Sequence, residues 1–177
     1  STGTGLFTSG SNWVRASDFS VSPYVNNFDK ITFADSYNNI PVTNSTLTLA
    51  AGTLFSPYNI SFTAGSVDYS ITGAGGISGA TGITKTGSAT VTLSTANTFT
   101  GTVNATAGTL KITDSAALGN TVAGTTIGPN ASLQIQGTLS IGEQLTIGGT
   151  GAGDQGALVN LSDVNTLSGS ITMSADT

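Results

Sequence analysis

Apolar residues in this chain come in pairs separated by one polar residue, and the runs are short. Thr90-Val91-Thr92-Leu93 puts Val91 and Leu93 on one face of a strand and the two threonines on the other. Leu110 with Ile112, and Leu133 with Ile135, repeat the arrangement. Thr and Val also fit a pleated backbone. Strand starts are predicted near Thr46, Val67, Thr90, Thr109, Ser132 and Ala157, with a second series near Ile60, Ile83, Thr102, Thr125, Gln144 and Ser170. Both series advance by about 20 residues, and interleaved ladders with a common period predict coils that feed at least two parallel sheets. About six coils, stacked at the spacing of hydrogen-bonded strands, would make a rod about 30 Å long. Each coil buries one or two Val, Ile or Leu side chains per strand, and stability comes from stacking because a lone coil cannot cover both its faces.

The stretch from Gly82 to Leu110 carries the pattern most completely. Three short strands are predicted there, with bends at Gly87, Gly101 and Gly108, since Gly alone enters left-handed backbone freely. Pieces of it recur. Asn97-Thr98-Phe99-Thr100-Gly101 returns as Asn165-Thr166-Leu167-Ser168-Gly169, and Gly108-Thr109-Leu110 has counterparts at Gly52-Thr53-Leu54 and Gly137-Thr138-Leu139. No window carries i, i+3, i+4, i+7 apolar spacing for more than a turn, so helix is not expected.

These residues resemble the autotransporter-associated β-strand repeat of secreted bacterial passenger and surface proteins. The match rests on Lys85, Gly87, Thr90 to Leu93, Ala96 to Gly101, Thr102 to Ala105 and Gly108 to Leu110. Ala89 stands where a second Gly is usual, and Thr95 where Gly often precedes Ala-Asn. The segment from Trp13 to Phe33 is similar to the lead-in that precedes such repeats. The resemblance implies a right-handed parallel β-helix exported from the cell, extracellular or held at the cell surface. It implies no common catalytic residues.

Composition narrows the function classes. Only 7% of the 177 residues are charged, against 24 Gly, no Cys and no His. A disordered chain needs more charge to stay solvated, whereas short strands and turns do not. The net charge of −5 and the four scattered basic residues, Arg15, Lys30, Lys85 and Lys111, exclude nucleic acid as a partner. No apolar run approaches the length of a membrane-spanning helix. The chain opens on Ser1 without a leader, so removal of one, or a longer parent chain, is expected. Every aromatic residue except Phe99 lies between Phe7 and Tyr69, in sequence broken at first by Pro23 and Pro41. Residues 1–45 are therefore expected to form an irregular aromatic cap, and 46–177 one continuous solenoid domain.

Candidate chemistry is sparse. The usual general base and the thiol nucleophile are missing, and the nine carboxylates are spread along the chain. Asp35 and Asp68 could meet one coil apart, as a glycosidase pair would need, but isolated Asp in turns is the ordinary arrangement. Gly148 to Asp154 has a calcium-loop flavour without a neighbouring repeat, and reads better as a corner. No cofactor and no metal are expected, and the chain is not expected to be an enzyme. Asn97 and Asn165 are predicted as structural corner residues whose amides bond to backbone groups left free by the bend. Trp13, Tyr24, Tyr37 and Tyr58 are candidates for contact with a neighbouring subunit or for stacking on glycan rings. The expected function is a non-enzymatic surface fibre, stalk or adhesive passenger, with self-assembly end to end into a head-to-tail oligomer. The alternative is a carbohydrate-binding or polysaccharide-degrading β-helix.

Overall fold

The computed structural model describes residues 13–14, 21–22, 30–37, 39–42 and 45–174. Strands that alternate apolar and hydroxyl residues cannot hide both faces within one coil, and the chain solves this by winding. The result is an all-β solenoid of about six turns with parallel strands. Among the described residues the helical content is one 3-10 turn, Ala152–Asp154. Two short antiparallel pairs, Trp13–Val14 with Val21–Ser22 and Ser36–Tyr37 with Ile40–Pro41, lie ahead of or beside the first rungs.

Three faces run the length of the rod. On the first, Lys30–Phe33, Asn59–Phe62 and Gly82–Lys85 stack in register. The first halves of Val103–Ile112 and Thr125–Gln136 follow, then Leu145–Ile147 and Ile171–Met173. The rung Lys30–Phe33 lies within the segment read from sequence as the cap. On the second face stack Thr46–Leu49, Tyr69–Gly73, Thr90–Leu93, the second halves of the two long strands, and Leu158–Ser162. The two predicted strand series correspond to these two faces. The third face is made of two-residue strands, Leu54–Phe55 with Gly76–Ile77 and Ser140–Ile141 with Thr166–Leu167. Between them run bonded but irregular rungs, in which Thr98 N–H donates to the Ile77 carbonyl and Asn120 N–H to that of Phe99, each at 2.8 Å.

Registered stacking turns each inward position into a column. Ile31, Ile60, Ile83, Val103, Thr125 and Leu145 form one, and Phe33, Phe62, Lys85, Ala105, Ile127 and Ile147 the next. Across from them run Leu47, Ile71, Leu93, Ile112 and Ile135, and Tyr69, Val91, Leu110, Leu133 and Leu158. Near the N-terminal end of the stack Phe33 lies on Phe62, 4.8 Å between centroids, and edge-on to Tyr69 at 4.9 Å. The Tyr69 hydroxyl reaches the Ala34 carbonyl at 2.6 Å, so this aromatic's one polar atom is satisfied.

The expected bends are present, but not all for the expected reason. Gly108 has φ +70°, the left-handed conformation a glycine supplies. Gly87 and Gly101 have ordinary φ. They are glycines because the coil beneath lies too close: a Cβ on Gly87 would strike the Ala64 carbonyl, and one on Gly101 that of Thr81. The corner at Gly108 is also not a break between strands. Val103–Ile112 runs through it as one strand, with the register slipping by a residue between Ala105 and Ala107.

Candidate functional site

The polar chemistry of the rod is concentrated at its corners, where bends free backbone groups that strand pairing would otherwise occupy. Asn97 is 3% exposed. Its Oδ1 accepts from Ile77 N–H at 2.8 Å and from the Thr95 hydroxyl at 2.9 Å, and its Nδ2 donates to the Ala117 carbonyl at 2.7 Å. One side chain thus spans the coil below and the coil above. Asn165 occupies the matching position near the C-terminal end and is half-buried. Its Oδ1 accepts from Leu139 N–H at 2.8 Å, and its Nδ2 donates to the Ser162 carbonyl and to Asn160 Oδ1.

The carboxylates sit in similar corner positions. Asp35 takes the amides of Gly65, Ser66 and Val67 at 2.7–2.8 Å, together with the Ser66 hydroxyl. Those backbone donors pull its pKa down to about 2. Asp68 accepts from Thr90 N–H at 2.6 Å, one coil further on. Each acid is spent on the backbone of the coil above it, an arrangement that suits a corner cap rather than a pair of catalytic acids. Asp154 accepts from the Thr150 hydroxyl, both residues exposed.

Among the described residues, Lys85 and Glu143 are charge-bearing side chains buried in the rod. The alternation that turns Ile83 inward also turns Lys85 inward, and its side chain is 1% exposed. The ammonium donates to the Gly87 carbonyl at 2.6 Å and to that of Ala107 at 2.9 Å, while burial lowers its pKa to about 8. A Cβ on Gly108 would sit 2.6 Å from this nitrogen, so the left-handed glycine also makes room for the charge. Glu143 is 3% exposed; its Oε1 accepts from the Thr125 hydroxyl at 3.1 Å and its Oε2 has no partner. Burial raises its pKa. Neither residue stood out in the sequence as an interior group, although the inward register of Lys85 was there to be read.

Of the aromatic candidates, Tyr58 alone has a described side chain. It is 59% exposed, with Lys30 Nζ 5.5 Å from its ring centroid, a cation–π contact across one ring face. Trp13 and Tyr37 are placed only as members of the short antiparallel pairs, and Tyr24 lies outside the described residues. Outward on the first face runs a column of uncharged polar residues, Thr32, Ser61, Thr84, Asn104, Thr126, Thr146 and Thr172. Among the described residues no helix is long and apolar enough to cross a membrane.

The described residues form a parallel solenoid whose coils are stitched to one another at the corners, and one comparison with known proteins bears on it. The chain is 38% identical over 84 residues to the adhesin BmaC autotransporter of Brucella suis biovar 1. The matched region covers 44% of this chain and 2% of that adhesin, so the chain spans a small fraction of its relative. No family model matches, and no solved structure does.

Proposed function

We propose that the chain is a length of the exposed rod of an extracellular adhesive passenger, non-enzymatic and held at or beyond the cell surface. The observation that carries this is the similarity to an autotransporter adhesin, in a chain whose fold is the parallel solenoid. Residues 82–110 are then a repeat of the autotransporter-associated type, whose motif residues support the coil corners: Lys85 caps two carbonyls, and Asn97 bridges three successive rungs. Self-association is part of the proposal. Ile171 and Met173 occupy the columns that Leu145 and Ile147 fill one coil below, yet they are 44% and 81% exposed. A further rung, supplied by a second copy or by the continuation of a longer chain, would bury them.

Beads coated with the purified chain test the adhesive role on epithelial monolayers and on immobilised host glycans. Retention above that of beads carrying an unrelated β-rich protein is expected, with no release of reducing sugar from any polysaccharide offered. Retention equal to the control, or sugar release, would overturn the reading. Sedimentation of the chain and of Met173→Lys separates the self-contact from adhesion: association lost in the variant is expected, and a monomer at all concentrations refutes it.

A further inference from the structure

Glu143 sits at a corner that the rest of the fold closes from both sides. Below lies the corner of residues 121–125, which supplies the Thr125 hydroxyl to Oε1 and whose Thr121 methyl lies 3.4 Å from the Cβ that Gly142 lacks. Above lies the turn at 168–170. It rests so closely on this corner that a Cβ on Gly169 would strike the Glu143 carbonyl oxygen. Ile127 and Leu145, inward on the first face, Leu133 and Ile135, inward on the second, and Ile141, two residues before Glu143, are buried and apolar. Neither flanking corner has a titratable side chain, Thr-Val-Ala-Gly-Thr below and Leu-Ser-Gly-Ser above. Asp114, Asp154 and Asp163, the acids of the neighbouring coils, are not among the causes that shift it. A carboxyl with one weak neutral partner and one orphaned oxygen is tolerable as an acid and costly as an anion.

We propose that Glu143 is a pH-sensitive latch between the coil of Leu145–Ile147 and the coil of Ile171–Met173, closed while its carboxyl is protonated and opened by ionisation. The coupling is geometric. The carboxylate can reach water only if the corner lifts, and the 168–170 turn lies on that corner. Opening therefore breaks the bonds that tie the upper coil down, Leu145 N–H to the Ser170 carbonyl at 2.9 Å and Ser168 N–H to that of Ile141 at 2.9 Å. The sign follows from burial, which raises the folded pKa above the ordinary 4.5. The latch is fully closed below the ordinary carboxylate range, and its contribution is lost as pH rises through the folded value. The coil of Ile171–Met173 is thus tight in acid and loosened towards neutral and alkaline pH.

Hydrogen exchange and carboxyl NMR on the intact chain test this. The Glu143 side-chain carbon should titrate with a midpoint above 4.5. Between 4.5 and that midpoint, protection of the Leu145, Ser168 and Ser174 amides, corrected for intrinsic exchange, should fall about tenfold per pH unit, the slope for one linked proton, and level off above it. The Ile83 and Thr98 amides, far from this corner, should hold constant. Glu143→Gln, neutral at every pH, should flatten the dependence. An ordinary carboxyl midpoint in the unmodified chain, pH-independent protection, or the same pH dependence in Glu143→Gln would each overturn the latch; the first two need no variant to fold.

Discussion

Replacing Asn97 with Ala removes three hydrogen bonds from a residue that is 3% exposed, and it leaves two backbone groups behind in the interior. Ile77 N–H loses its acceptor and the Ala117 carbonyl loses a donor, while the Thr95 hydroxyl is freed to turn. An orphaned buried polar group costs about 1–3 kcal/mol, so the two together set the loss at about 2–6 kcal/mol. Asn165→Ala is the internal comparison. That side chain is half-buried and water can replace part of what it does, so about 1 kcal/mol is expected. Urea unfolding followed by circular dichroism reads both. The midpoint should fall in both variants, further for Asn97, at unchanged slope if each loss is purely energetic. A parental midpoint for Asn97→Ala would refute the reasoning that one amide holds three rungs together. Equal losses would refute the burial argument that ranks the two sites.

Lys85 and Asp35 give opposite pH signatures. Lys85 has its pKa lowered from 10.5 to about 8 by burial, so between those values the unfolded chain holds a proton that the folded chain has released. Stability should rise from about pH 8 to 10.5, and Lys85→Met should lose that rise in a melting series. The Asp35 carboxyl, lowered from 3.8 to about 2 by the amides of Gly65, Ser66 and Val67, stabilises above the ordinary value. Its contribution should disappear as pH falls from about 4 to 2, and Asp35→Asn should lose that acid dependence while starting from a lower melting temperature. Gly101→Ala should destabilise by about 1–3 kcal/mol, the range for overpacking, because its methyl would collide with the Thr81 carbonyl at an unstrained φ. A neutral result in calorimetry would mean the corner can spread without cost.

How much of this was legible in the sequence depended on how local the cause was. Alternation with period two located the strands of two faces: the series predicted from Thr46 and from Ile60 start within a residue or two of Thr46–Leu49 and Asn59–Phe62, and the later members track equally well. The third face escaped because its strands are two residues long, as at Gly76–Ile77, too short to alternate. Gly101 reads in sequence as a bend. Its actual constraint, the carbonyl of Thr81, lies one coil away and leaves no local trace. Lys85 reads in sequence as one of four scattered basic residues, since Lys is rarely interior, although its place two residues after Ile83 fixes it inward. Glu143 carries no such signal, since corner residues do not alternate. The carboxylate pair considered for hydrolysis, Asp35 and Asp68, looked open because their backbone partners, Gly65 to Val67 and Thr90, are neighbours only once the coils stack.

Thr32 and Thr172 stand at opposite ends of one outward column that passes through Ser61, Thr84, Asn104, Thr126 and Thr146. The chain has no cysteine, so Thr32→Cys with Thr172→Cys gives a clean pair of spin labels. Every coil between them contributes one strand spacing, and a continuous parallel stack sets the separation at about 30 Å. A narrow double electron–electron resonance peak at that distance is the predicted result. A separation below about 20 Å, or a broad distribution in place of a peak, would contradict coils stacked in register at the strand spacing from Lys30 to Met173.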